Sequence, residues 1–407
     1  MKEQTMICTN VGRIKALMYA SEMLSSQALI VPIKVLFFIN FLMQNEDISL
    51  FRFFFVGAIF LFELPCGYLA DKLGNKALFL VSKALVITSL VLNILIPSFI
   101  GFVVANAILG LSVAFDSGAG NSYMLMLSQK SNLDYTKIRV KLHKYSYFFN
   151  FLLMLSSSLL FGINVFLPHI LTITLYIVST ILVAWMPRAE ASDFEEEKDN
   201  EVNASFFVAS RAVFCSFFNN KQLMLQTIFY ALCASLLISN FDFYVVFFYA
   251  ANIDTRFIGF IFSTFMLINI LGVQIYDSGH KILSIALLVL LPFSFLLLLN
   301  NTVYMVLTAV FIQQLAFAYY GTNFRIFVLK SIKNLKTSSH FQATIDFVVA
   351  SLRVIITLLV TLALHFIGLN GTFTLFAIAT CAITILYLML SSTIRDLLSG
   401  RLNDDST

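Results

Sequence analysis

Long apolar runs separated by short polar knots recur along the whole chain. Twelve of them are long enough to cross roughly 30 Å of hydrocarbon as helices: 16–41, 50–70, 77–96, 99–128, 143–164, 167–186, 222–250, 256–276, 282–299, 302–328, 341–367 and 371–391. The turns inside 77–128 and 143–186 are short and poorly marked. One interval breaks the rhythm. Residues 187–221 are hydrophilic, and they divide the runs six and six. They open with Pro187 and the run Glu195-Glu196-Glu197-Lys198-Asp199-Asn200-Glu201, a solvated linker by composition. From Ser205 to Phe218 aromatic and small residues alternate around Arg211, which reads as an amphipathic helix on the cytoplasmic membrane surface serving as a tether. The expected organisation is a bundle over 1–186, a linker over 187–221 and a second bundle over 222–407.

The positive charges test this count independently. With both termini and every second loop on one side, 20 of the 26 Lys and Arg fall there and only Arg52 and Arg256 on the other. Basic residues in short loops mark the cytoplasm. The split therefore predicts an even number of spans with both termini inside, in a bacterial inner membrane. A miscount by one would scramble it.

Composition excludes the alternatives. The chain of 407 residues is 59% hydrophobic and 12% charged, with a mean hydropathy of +0.89. Soluble domains run nearer 45–50% apolar and about 25% charged. Met1 to Lys15 is polar and basic, and the apolar run after it is too long for a cleavable signal, so a retained first span is expected. Cys8, Cys66, Cys215, Cys233 and Cys381 show no metal-like spacing, and free thiols are expected. The histidines, His143, His169, His280, His340 and His365, are scattered, without the clustering of a metal site. A Gly-rich lysine loop for nucleotide phosphates is absent, so direct ATP coupling is not expected, nor any cofactor. The net charge of +4 is explained by the loops and does not point to nucleic acid.

One short segment carries a motif. Gly67-Tyr68-Leu69-Ala70-Asp71-Lys72-Leu73-Gly74-Asn75-Lys76, between the second and third runs, resembles the signature loop of the major facilitator superfamily. Gly67, Asp71, Lys72, Gly74 and Lys76 match, while Asn75 stands where a base is common. Gly67 lets two helices approach closely, Asp71 suits a helix N-terminus and a basic partner, and Gly74 permits the tight turn. Such a cluster would act as a reversible latch. Phe62-Glu63-Leu64-Pro65-Cys66-Gly67 and Ala114-Phe115-Asp116-Ser117-Gly118-Ala119 resemble a subset of that superfamily that includes bacterial efflux proteins, and Glu63 joins the gating loop on that basis. Two features depart from drug–proton antiporters: Asn106, not arginine, precedes Gly110, and 143–164 lacks proline. The halves also echo each other weakly, Asp71 to Lys76 against Asp277-Ser278-Gly279-His280-Lys281.

The resemblance implies an all-α membrane protein of two six-helix bundles, with the first, fourth, seventh and tenth spans lining a central cavity. Nine ionisable residues fall inside the runs: Glu22, Lys34, Glu63, Lys83, Asp116, Asp242, Arg325, Asp346 and Arg353. A charge at a helix centre costs roughly 2.5–3.5 kcal/mol on insertion scales, so these should face a bundle interior or water. Lys34, Lys83 and Arg325 are expected to snorkel to headgroups. Glu22, Gln27, Asp116, Asp242, Gln313, Gln314 and Arg353 are the candidates for a substrate or proton pathway, with Arg353 at a depth to pair with Asp116. The expected protein is a monomeric secondary transporter moving a small organic solute by alternating access, outward by the efflux resemblance, with protons as a candidate coupling ion. An importer is the alternative, and a non-transporting receptor or membrane-embedded enzyme the alternative of another class.

Overall fold

The computed structural model describes residues 2–131, 133–188, 221–277, 281–331 and 338–390, and these are all-helical. The first part runs α1 (Lys2–Leu24), α2 (Lys34–Asn40), α3 (Asn45–Leu73), α4 (Asn75–Leu95), α5 (Phe99–Phe115), a π-helical turn (Asp116–Gly120), α6 (Asn121–Lys130), α7 (Tyr135–Ile163) and α8 (Leu167–Trp185). The second runs α9 (Lys221–Phe241), α10 (Tyr244–Ala250), a 3-10 turn (Thr255–Phe257), α11 (Ile258–Asp277), α12 (Lys281–Leu298), α13 (Val303–Ser331) and α14 (Ser338–Leu390). Among the described residues, seven helical segments are long and apolar enough to cross a membrane. Every expected run overlaps a helix, a helix pair or half of α14. The expected amphipathic helix, Ser205 to Phe218, lies outside the described residues.

The interruptions have local causes. Pro32 lacks an N–H and its ring clashes with the carbonyl four residues back, so a helix cannot run straight through it. The backbone turns instead over 25–33, with Ile30 and Val31 N–H both donating to the Gln27 carbonyl at 2.9 and 3.1 Å. The second part is broken at the equivalent place. There Phe243 N–H donates to the Asn240 carbonyl at 2.8 Å before α10 begins. Each break is followed by a seven-residue helix, Lys34–Asn40 and Tyr244–Ala250. This shared shape is a clearer internal repeat than the loop echo in the sequence. Gly368 ends the first half of α14 with φ 68° and ψ −174°, so that element is two helices joined at one residue.

The chain divides into two compact units, Met1–Ala204 with Ile253–Met266, and Ser205–Asn252 with Leu267–Thr407. In the first unit α3 and α5 pack without a spacer. A Cβ on Gly110 would lie 2.2 Å from the Phe55 carbonyl oxygen. Phe38, Phe51 and Phe102 fill the adjoining core, with ring centroids 4.9–5.6 Å apart. Hydroxyls join α1 to α8: Ser179 Oγ donates to the Ser21 carbonyl at 2.7 Å and lies 2.7 Å from Ser25 Oγ. The start of α11 belongs to this unit because it docks on α7. Gly259 N–H donates to Ser158 Oγ at 2.7 Å, and the absent Cβ leaves room for the Met154 carbonyl.

In the second unit a buried amide ties three helices together. Asn240 Nδ2 donates to Gln313 Oε1 at 2.5 Å, and Gln313 Nε2 donates to Ser294 Oγ at 3.0 Å. Gln313→Leu is expected to lower stability by about 1–3 kcal/mol, because it strands the Asn240 donor in the interior. A thermal midpoint equal to wild type would remove this bridge from the account.

Candidate functional site

The polar break in the first span builds the site. The last turn of α1 and the break after it present Glu22, Ser25, Ser26 and Gln27 to a cavity of about 370 Å³. Its other wall comes from α7 (Ser146, Tyr147 and Asn150) and α8 (Tyr176). Irregular backbone at membrane depth is tolerated where it lines such a cavity. The walls are locked to one another. Ser26 Oγ donates to Asn150 Oδ1 at 2.7 Å, and the Tyr176 hydroxyl donates to the Ser25 carbonyl at 3.2 Å. Two further pockets, of about 370 and 350 Å³, lie in the second unit and are walled almost wholly by aliphatic and aromatic side chains. They offer a solute nothing to orient it.

Charge surrounds the first cavity in pairs. Arg139 Nη1 approaches Glu22 Oε1 at 3.4 Å, and its Nη2 donates to Asn121 Oδ1 at 2.8 Å. Asn121, Ser117 and Asp116 are exposed together at the π turn. An exposed carboxylate in the middle of an apolar helix fits an aqueous space and not lipid. The π turn positions it, since widening a helix by one residue re-aims the side chains around it. The charges acting on Asp116 are Lys83, Glu22 and Arg139, all in its own unit. Arg353, the partner expected from depth, is placed in the second unit.

Lys83 corrects the snorkelling expectation. It is 2% exposed, its ammonium donates to Ser25 Oγ, and it sits 4.4 Å from the centre of the Phe79 ring. Lys34 is half-buried over Phe38 and Phe55, at 5.8 and 5.9 Å. The side chain of Arg325 lies outside those described, as does that of Asp346.

Of the predicted pathway residues, Glu22 and Gln27 line the cavity and Asp116 stands beside Glu22. The others belong to the second unit. Asp242 is buried at the α9–α10 break, Gln313 is held in the amide bridge, and Gln314 Nε2 donates to the Tyr244 hydroxyl at 3.3 Å. In the signature loop Gly74 turns the chain with φ 85°, a conformation glycine adopts without strain. Lys76 donates to the carbonyls of Ala184 and Met186, at 2.9 and 2.5 Å, and so caps the end of α8. Glu63 is half-buried on α3. The side chains of Asp71 and Lys72 lie outside those described, as does the immediate environment of Gly67.

Sequence reading passes over Arg139 and Asn150 as site residues and sets Lys83 at the headgroups. Arg139 was placed in a loop, yet α7 begins eight residues earlier than its apolar run, at Tyr135. Asn150 was visible as a lone amide amid Phe148, Phe149, Phe151 and Leu152. On α4 the buried positions Ser82, Lys83, Val86, Ser89 and Asn93 recur at helical spacing, so a polar stripe marked the inward face. No group of three or more His, Cys, Asp or Glu among the described residues is arranged to hold a metal.

No protein-family model matches the sequence, and no curated protein matches it. Solved structures share the fold. A variant of the nucleoside transporter NupG superposes with a TM-score of 0.75 at 14% identity, over 93% of this chain and 99% of that one. A second structure of the nucleoside transporter NupG gives 0.73 at 14% identity, over 93% and 98%.

Proposed function

We propose that a chain with this transporter fold is a secondary transporter of the major facilitator type, moving a small polar organic solute across a membrane by alternating access. The observation that carries the reading is the cavity at the broken first span. Its size suits one small molecule, and its hydroxyls, amides and tyrosines would orient a solute rich in hydroxyl or amide groups. Among the described residues Glu22 is the one charge lining it and is already met by Arg139, which favours an uncharged solute over an anion. The structural neighbours handle nucleosides, molecules of this size and polarity, so nucleosides head the compounds to try. The cavity serves inward or outward movement equally well. The outward reading rests on the resemblance of residues 62–67 and 114–119 to efflux proteins.

Purified protein in liposomes should exchange at least one labelled nucleoside or comparable neutral solute, and Glu22→Gln should slow that exchange at least several-fold while leaving the amount of folded protein unchanged. A wild-type protein that moves none of a broad panel in either direction would overturn the reading in favour of a receptor. The twelve-span arrangement is part of the proposal. Reporters fused at Asn45, Asn252 and Asn300 should read as outside, and at Asn132, Asn200 and Asn334 as cytoplasmic. Two or more inverted reporters would sink it.

A further inference from the structure

Two of the first unit's carboxylates, Glu22 and Asp116, stand close enough to repel each other, and positive charge nearby offsets that repulsion. Arg139 meets Glu22 at 3.4 Å. The other cation is Lys83, approached from several sides. From the break after α1, Ser25 Oγ accepts a hydrogen bond from its ammonium. From α4 itself, the Phe79 ring lies beneath the ammonium at 4.4 Å. From the π turn, Gly120 lets Asp116 and Phe79 crowd one point, since a Cβ there would sit 2.8 Å from both Asp116 Oδ1 and the ring. From α8, Tyr176 and Ser179 close on Ser25. Among the described residues the charged groups acting on Lys83 are Asp116 and Glu22, both acidic. Glu22, Asp116, Arg139 and Lys83 thus form a cluster of two acids and two bases.

We propose that Lys83 is a tethered counter-ion, its ammonium occupying the place that a sodium ion or a proton from solution would otherwise take beside Asp116 and Glu22. A lysine suits this task because its ammonium is a compact cation with three donors on a long stem. Ser25 orients it, and Ser25 also lines the cavity, so the cation reaches the solute through one hydroxyl. Being sealed from solvent, it is not traded for a bulk ion during a cycle. The consequence rests on the transport reading above: solute would cross without a cation gradient acting on these two carboxylates. The charge balance itself can be tested without any solute.

The test is thermal unfolding of purified full-length protein, in sodium chloride against choline chloride at equal ionic strength, in alkaline and mildly acidic buffer. Wild type should show the same midpoint in both salts. Lys83→Met keeps the length of the side chain and removes its charge. Its midpoint should fall in choline at alkaline pH and recover with sodium or with acid, as a free ion or proton replaces the missing ammonium. The double variant Lys83→Met/Asp116→Asn should regain the midpoint and lose the ion dependence. A sodium-raised midpoint in wild type would overturn the proposal. So would an Lys83→Met midpoint lowered equally in every buffer, or left at the wild-type value. If Lys83→Met alone fails to fold, folding of the double variant still supports the charge argument, and its failure to fold overturns it.

Discussion

Replacing Gly110 with valine is expected to remove most of the folded protein from the membrane. The first added carbon would lie 2.2 Å from the Phe55 carbonyl oxygen and 2.9 Å from Ala58 Cβ. The nearer atom is backbone, so no rotamer change relieves the clash and α3 and α5 must part. Overfilling a packed core typically costs about 1–3 kcal/mol, and a backbone obstacle puts this site at the upper end. The loss spreads, because the aromatic core of Phe38, Phe51 and Phe102 spans the same helices. Membrane abundance and the thermal midpoint measure it, with Gly110→Ala showing a milder effect of the same sign. Wild-type abundance for Gly110→Val would mean that the two helices do not meet this closely.

The second large effect belongs to the cavity. Asn150→Leu should cut solute flux by about 10–100-fold, the worth of one or two lost hydrogen bonds. Leucine is of similar size, but it cannot accept from Ser26 Oγ, now 2.7 Å from the amide oxygen, and it turns a polar wall apolar. Folding should persist, since the side chain is only half-buried. Flux and abundance measured on the same preparation separate the two. Unchanged flux would take Asn150 out of the solute path, and with it the α7 wall.

The helices were legible because apolar length is a strong signal and hydrocarbon imposes it. Their ends were not. The start of α7 carries Lys137, Arg139 and Lys141, so hydropathy places the membrane edge near 143 while the helix continues into polar sequence. That difference hid Arg139 as a partner of Glu22. Lys83 was misjudged for a related reason. Snorkelling is decided by the face a lysine occupies, and the face was readable from Ser82, Ser89 and Asn93 beside it. Glu22 and Gln27 were found because polar groups in an apolar run are conspicuous. The pocket they line was not, because it depends on how Pro32 diverts the backbone.

The π turn at Asp116–Gly120 can also be read as an insertion that the helix has kept. An extra residue kept in α geometry would rotate everything beyond it by roughly 100°, and the widened π turn takes the residue up locally instead. Asn121 faces Arg139 under the present phase, and Tyr123 reaches the Pro187 carbonyl at 2.9 Å. Deleting one residue from Asp116–Gly120 would close the bulge into a plain α-helical turn and leave the phase of α6 unchanged. The partners of α6 would then be kept, while the aspartate would lose the outward swell that aims it. The length of that five-residue segment is thus as much a specification of the site as the identity of its aspartate.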